Sequence, residues 1–373
     1  MQSDSIVYKF YYLWWKNIDK SIFLLISLLF IVGLFFSLVS TSLIASDKLD
    51  TNSYFFFFKH LIYVLIGIFL IYIFSLLNSD QLYKYSIILF FISLIALLLV
   101  PFIGVEVKGS KRWIDLFFLP RFQPIEVLKP FLIIILATIL CDIKSNILFK
   151  YLISIFVISV ISLLLIAQPD IGQTLLVVFC WAVLIFTSGI NIYILLAIFI
   201  AGASLLAYLI IYVPRFDYIQ GRIFSFFNRE TGTHNFQSDK AIESIKSGGF
   251  FGKGIGEGVL KNRVPEAHTD YIISVISEEF GVVAIMLIFL LFLILIYMVF
   301  KKISFETNDK VKLILIGSIS LILMQATIHI GVNIRLFPTT GMTLPFLSYG
   351  GSSIISTSIL AGIILNLTKR KIT

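Results

Sequence analysis

Charge is what this sequence has least of. Only 13% of its 373 residues are Asp, Glu, Lys or Arg, where a soluble domain carries about 25%. A chain that is 59% hydrophobic cannot hide its apolar surface in one water-soluble core. It reads as an integral membrane protein. Cysteine is nearly absent. Cys141 and Cys180 lie in or at the end of apolar segments, without metal-ligand spacing or a disulfide framework, so they read as small buried apolar residues. No Rossmann, Walker, zinc or Ser-His-Asp pattern stands in a context that would give it meaning. No internal repeat is visible, which weakens a transporter built on inverted repeats. The net charge of +8 suits anionic lipid headgroups or a phosphate-bearing substrate and does not indicate nucleic acid.

What the sequence has is long apolar runs. A bilayer core of about 30 Å needs roughly 20 apolar residues per helix. Such segments run over Ser21–Ile44, Phe56–Leu77, Tyr85–Phe102, Ile125–Cys141, Ile147–Ile166, Gly172–Ser188, Ile190–Val213, Tyr271–Phe300, Val311–Val332 and Phe346–Leu367. The first is too long for a signal-peptide core and is expected to stay as an anchor. The expected fold is therefore all-α: a single polytopic domain over residues 1–373 with ten transmembrane helices. A long loop, 214–270, joins the seventh and eighth.

Basic residues orient the chain. Lys9, Lys16 and Lys20, then Lys301, Lys302, Lys310 and Lys312, then Lys369, Arg370 and Lys371 fall on one side of ten spans. That side is the cytoplasm by the positive-inside rule, so both termini are cytoplasmic and the 214–270 loop is extracytoplasmic. Trp14 and Trp15 fit an interfacial belt. One short outer loop breaks the rule with Lys108, Lys111, Arg112 and Arg121. A basic cluster on the wrong side suggests an anionic ligand there.

Polar groups at the outer helix mouths are the candidates for chemistry, because a polar atom is costly at that depth unless solvated or paired. Pro265-Glu266-Ala267-His268-Thr269-Asp270 runs straight into the eighth segment. A partly buried Asp270 can be tuned as a general base, with His268 and Thr269 orienting it or a substrate. The plain alternative is that Thr269 or Asp270 caps the helix. Gln168-Pro169-Asp170 stands in a similar place, with the same alternative for Asp170. Glu126 and Lys129, three apart, share a helix face and can pair. The alternative is an interfacial pair with Lys129 snorkelling. Arg112 and Arg121 flank Trp113, Asp115 and Gln123, and guanidinium forks suit a diphosphate. Glu278 and Glu279 lie deeper and need partners, for which Gln325, His329, Asn333 and Arg335 are candidates. Ser348-Tyr349-Gly350-Gly351-Ser352 allows close approach of backbone or ligand. Gly248, Gly249, Gly252, Gly254, Gly256 and Gly258 are expected to make the long loop flexible.

Together these motifs resemble the SEDS family (shape, elongation, division and sporulation), polytopic proteins that include FtsW and RodA. The resemblance rests on Gly109-Ser110-Lys111-Arg112-Trp113, Arg121-Phe122-Gln123-Pro124 with Glu126 and Lys129, and Gln168-Pro169-Asp170. It continues in Gly248-Gly249 through Asp270 and in Pro338 through Ser353, in the family's order over nearly the whole chain. Ile125 departs from it, where the family often has Ser or Ala. Ala267, where RodA-like sequences usually have Arg, tilts the resemblance toward the FtsW branch.

The resemblance implies a peptidoglycan glycosyltransferase of the bacterial inner membrane that polymerises lipid II for septal wall synthesis. It implies Asp270 as the base of one inverting transfer. Arg112, Arg121 and Lys129 would stabilise the leaving diphosphate. Gln123, Glu126, Asp170, His268, Thr269, Ser348, Gly350 and Ser352 complete the expected substrate site. A divalent cation, Mg or Mn, is the one candidate cofactor, with no metal ligands readable. The implied partners are a class B penicillin-binding protein, other divisome proteins and membrane lipid. A lipid II flippase, a RodA-like elongation polymerase and a noncatalytic scaffold are the competing readings.

Overall fold

The computed structural model describes residues 12, 14–41, 54–107, 110–116, 119–142, 146–228, 236–260 and 264–369. Lys9, Lys108, Gly109, Arg370 and Lys371 lie outside the described residues. Every apolar segment is helical over most of its described length, because in hydrocarbon each backbone N–H and C=O needs a partner within its own segment. In chain order the helices are α1 (Lys20–Thr41), α2 (Phe55–Leu76), α3 (Ser79–Ile103), α4 (Pro124–Leu140), α5 (Ile147–Ala167), α6 (Ile171–Thr187) and α7 (Ile192–Tyr212). After a short 3-10 turn come α8 (Asp217–Asn228), α9 (Phe236–Gly248), α10 (Ile272–Phe305), α11 (Asp309–Asn333) and α12 (Gly351–Leu367). Seven of the described helices are long and apolar enough to cross a membrane. Helices α4, α6 and α12 are shorter, at 17 residues each.

The fold is not purely helical. Residues 105–122 form a three-stranded antiparallel meander, β1 (Val105–Val107), β2 (Ser110–Leu116) and β3 (Leu119–Phe122). Gly104, Pro120 and Pro124 bound a stretch too short and too interrupted for another helix, and strand pairing satisfies its backbone groups instead. Ile114 turns inward while Lys111 and Asp115 face out.

Helix α12 forms the centre of the bundle and is buried along its whole length. Small residues let α2 approach it closely. A Cβ at Gly67 would come within 2.4 Å of Ser358 Oγ, and one at Gly362 within 2.7 Å of Phe74 Cβ. Helix α7 is the opposite case, with Leu195 its one buried residue. The tenth apolar segment begins at Phe346, yet its helix starts only at Gly351, and residues 344–349 turn irregularly ahead of it.

The long loop carries α8 and α9, and its glycines do not act as a flexible spacer. They let one backbone lie against another. A Cβ at Gly248 would sit 1.8 Å from Ser277 O, and one at Gly252 would sit 2.1 Å from Glu279 O. Helix α10 breaks at Gly281, whose φ is 76°. At the break, Lys253 N–H donates to Glu278 O (2.9 Å), and Gly254 N–H to Glu279 O (3.0 Å). In return, Val282 N–H donates to Gly249 O (3.0 Å). The loop thus supplies the partners that the broken helix lacks.

The two deep glutamates are held by this loop rather than by α11. Glu278 accepts from Ser244 Oγ (2.8 Å) and Leu260 N–H (2.9 Å), with Lys253 Nζ at 3.7 Å. Glu279 accepts from Gly256 N–H at 3.3 Å. The expected partners are engaged elsewhere: His329 with Met342 O, Asn333 with Asp270 O, Arg335 with Asp239, and Gln325 with Lys129.

Candidate active site

Elements far apart in sequence close around one cavity of about 610 Å³. The meander contributes Arg112, Trp113 and Arg121, and the start of α4 gives Gln123 and Glu126. Asp170 and Gln173 come from the mouth of α6, and Gln237 from α9. The hexapeptide before α10 adds Glu266, Thr269 and Asp270. The segment between α11 and α12 closes the remaining side with Thr339–Thr343 and Tyr349, and the start of α12 adds Gly350, Ser352 and Ser353.

One wall is a buried polar network. The Glu126 carboxylate lies 2.9 Å from Lys129 Nζ, and both side chains are buried. Lys129 also donates to Gln173 Oε1 (3.1 Å) and Gln325 Oε1 (3.2 Å), while Gln173 Nε2 donates back to Glu126 at 2.6 Å. A charge is tolerated at this depth because all three ammonium protons find acceptors. Lys129 does not snorkel and does not line the cavity: its side chain is 0% exposed.

Above this network, Asp170 caps α6 by accepting Gln173 N–H (3.3 Å) and also accepts from Gln123 Nε2 (2.9 Å). Burial pushes its carboxyl above the usual value, and Arg112 at 3.7 Å offsets only part of this. Arg112 itself is anchored, donating to Gln168 O (3.2 Å) and to Pro169 O. Arg121 is the accessible guanidinium, 58% exposed and, among the described residues, paired with Asp115 at 2.9 Å. Gln123 N–H donates to Ser352 Oγ (3.0 Å), which ties the meander's exit to α12.

The facing wall is built by the hexapeptide. The backbone turns at Glu266, where φ is 55°, a conformation uncommon for a side chain of this size. The Glu266 carbonyl then accepts three successive amides: Thr269 (3.1 Å), Asp270 (3.1 Å) and Tyr271 (3.3 Å). Helix α10 starts at Ile272 with no side-chain cap. Asp270 is therefore not the capping residue that its position suggested. Its backbone carbonyl accepts from Asn333 Nδ2 (3.0 Å), and its carboxylate faces Gly341, where a Cβ would sit 3.5 Å from Oδ2.

Two expected site residues stand behind the wall rather than in it. The His268 ring packs 4.9 Å from Phe56 and 5.8 Å from Tyr349, and its carbonyl accepts Tyr349 N–H at 3.2 Å. Ser348 Oγ accepts Leu344 N–H (2.9 Å) and fixes its own turn. Tyr349 lines the cavity in its place.

Comparison with known proteins accounts for this assembly. The model of the FtsW/RodA/SpoVE family, described as cell cycle proteins, matches residues 19–372. The chain belongs to the FtsW/RodA/SpoVE family. It is 34% identical over 278 residues to a Caulobacter vibrioides protein named probable peptidoglycan glycosyltransferase FtsW, covering 74% of this chain and 70% of that one. A Haemophilus influenzae protein of the same name is 32% identical over 360 residues, covering 94% and 90%. Among solved structures, a chain of a peptidoglycan synthase complex that coordinates polymerization and crosslinking superposes with a TM-score of 0.77 at 25% identity, covering 94% and 97%. The rod shape determining protein RodA of Thermus thermophilus gives 0.69 at 26% identity, covering 94% and 96%.

Within this FtsW/RodA/SpoVE chain, sequence reasoning passed over several wall residues. Gln173 carried a signal, since it is a polar residue in the first turn of an apolar segment. Gln237 and Thr339 carried none, because both sit in polar stretches where nothing distinguishes them.

Proposed function

We propose that this chain is a peptidoglycan glycosyltransferase that polymerises lipid II into β-1,4 glycan strands for septal wall synthesis. One observation carries the site assignment. A single cavity has the Asp270 carboxylate on one wall and the Arg112–Arg121 cations on the other. A sugar joined to a lipid diphosphate needs both groups, one to take a proton and one to stabilise the departing charge.

In the step, the acceptor sugar's 4-hydroxyl gives its proton to the Asp270 carboxylate. Its oxygen then forms a bond to C1 of the donor. The C1–O bond to the diphosphate breaks on the opposite face, and inversion converts the α-linked donor to a β linkage. The lipid diphosphate leaves with the bonding pair. Arg121 receives that charge, since its partner among the described residues is an exposed carboxylate that a diphosphate can displace. Arg112, anchored to the 168–170 turn, supplies a fixed positive field beside it.

A divalent cation would reach this site on the substrate's diphosphate, with at most one or two protein carboxylates beside it. Among the described residues no three His, Cys, Asp or Glu side chains converge, so no step is routed through a metal.

The working topology is ten spans with both termini cytoplasmic and the cavity on the outer face of the bacterial inner membrane. Lys301, Lys302, Lys310 and Lys312 at the α10–α11 turn support that orientation. A class B penicillin-binding protein is the expected partner, with other divisome proteins around it. The flippase reading loses its main support, because Glu278 and Glu279 are tied into the loop.

The test is glycan synthesis from labelled lipid II by the purified protein with its transpeptidase partner. Wild type is expected to make polymer and Asp270→Ala none. Equal polymer from both would remove the base assignment. Lipid II transport across vesicles that survives Asp270→Ala, without polymer from wild type, would replace the enzyme with a flippase.

A further inference from the structure

Helix α9 reaches the catalytic cavity through one residue, Gln237. Its carboxamide hydrogen-bonds nothing among the described residues, although it is half-buried and faces a polar cavity. An amide carries two donors and an acceptor, and that capacity matches the hydroxyl and N-acetyl groups of an amino sugar.

The backbone around this side chain is held at both ends of the helix. Asp239, two residues on, forms an ion pair with Arg335 just past the end of α11. Arg335 adopts a left-handed φ of 58°, and its amide donates to Val332 O at 3.1 Å. A residue of this kind occupies that region only where its surroundings impose it. At the other end, Ser244 Oγ donates to Glu278, and Gly248 lies against the backbone of Ser277. A short helix pinned in this way presents Gln237 in one orientation. That is the arrangement by which a protein positions a substrate without rearranging to bind it.

We propose that Gln237 orients the amino sugar of the lipid-linked substrate, and that the Asp239–Arg335 ion pair holds it in place. The proposal rests on the polymerase reading above and adds a positioning residue that acts on binding rather than on proton transfer. Asp239 and Arg335 act through Gln237 and touch no substrate themselves.

The test separates binding from turnover. In an Asp270→Asn background, which removes the base, affinity for a lipid II analogue in detergent is measured with and without Gln237→Ala. A loss of about tenfold is expected, the worth of one good hydrogen bond. In the polymerisation assay with the partner present, Gln237→Ala raises KM and leaves kcat within a few-fold. Arg335→Ala reproduces that shift, and the Gln237→Ala/Arg335→Ala double variant is no worse than either single one, because both remove the same contact. Lys240→Ala, which removes the pair with Glu243 and the contact over the Phe236 ring on the same helix, leaves both readouts unchanged. Unaltered affinity in Gln237→Ala overturns the proposal, as does a purely additive double variant. If wild type binds the analogue but forms no polymer, the polymerase reading fails while the affinity arm still decides the role of Gln237.

Discussion

Two aspartates stand at the mouths of two apolar helices, and the fold uses them in opposite ways. Asp170 is 2% exposed and turned inward, where it caps α6 and binds Gln123 and Arg112. Asp270 leaves the cap of α10 to other atoms and puts its carboxylate on the cavity wall. Beneath Asp170 the Glu126–Lys129–Gln173–Gln325 network closes on itself. Beneath Asp270 the backbone is bonded, to the Glu266 carbonyl and to Asn333, and the carboxylate faces Gly341 on the cavity wall. A carboxylate that caps a helix and binds side chains of the fold builds structure. One set on the cavity wall with no helix to cap is placed to meet a substrate.

The largest expected effect tests that division directly. Asp270→Asn should lower the polymerisation rate by about 10²–10⁴, the usual worth of a general base. Its melting temperature in detergent should stay close to wild type, and a rate loss accompanied by a matching stability loss would erase the contrast. On the wall beneath Asp170 the order reverses. Lys129→Met should cost about 3–5 kcal/mol of stability by leaving the buried Glu126 carboxylate without its counter-charge, read by thermal or denaturant unfolding. Replacing Glu126 as well, in Lys129→Met/Glu126→Leu, should recover much of that loss, because no buried charge then remains.

A third prediction concerns what holds the Asp270 wall. Gly248→Ala puts a methyl group where Ser277 O already stands, so the loop must lift from α10. We expect a loss of about 1–3 kcal/mol from overpacking, with a fall in activity that follows stability. A Gly248→Ala protein of wild-type stability would mean that the loop is not tied to α10 as described.

The smallest expected effect is a pH dependence. Burial raises the Asp170 carboxyl above the 3.8 of an unperturbed aspartate, with Arg112 lowering it only in part. The folded protein therefore holds this proton more tightly than the unfolded chain does. Ionisation costs the folded state stability as pH rises from 3.8 through the raised value, and the cost is constant above it. Asp170→Asn cannot ionise, so its melting temperature relative to wild type should climb over that window and then level off. The opposite slope would mean that Arg112 outweighs burial.

Much of this was legible in the sequence because a membrane imposes strong local rules. Runs of apolar residues had to be helices, since no other local structure satisfies the backbone in hydrocarbon. Arg112, Arg121, Gln123, Glu126, Asp170, Thr269, Asp270, Gly350 and Ser352 were all picked from the sequence, and all line the cavity. Lys129, His268 and Ser348 were picked as well and stand behind it. The sequence could not make that distinction, because a polar residue near a helix mouth looks the same whether it faces the cavity or its own turn. The break at Gly281 and the loop docked on it were not legible either. A glycine in an apolar run is equally at home in an unbroken helix, and only the approach of residues 249–254 gives this one a positive φ and its backbone new partners.

The sequence alone determined the membrane setting, the helical segments, the concentration of polar motifs at helix mouths and the family resemblance. All of these follow from composition, period and short motifs. The tertiary structure decided that, of two similar aspartates on the cavity, Asp170 caps a helix and Asp270 does not. It decided that Lys129 is buried structure and Arg121 an accessible cation, and it brought Gln237 to the site from a loop with no signal of its own. Those outcomes depend on which donors arrive from distant parts of the chain, and no local pattern encodes the arrival of a partner.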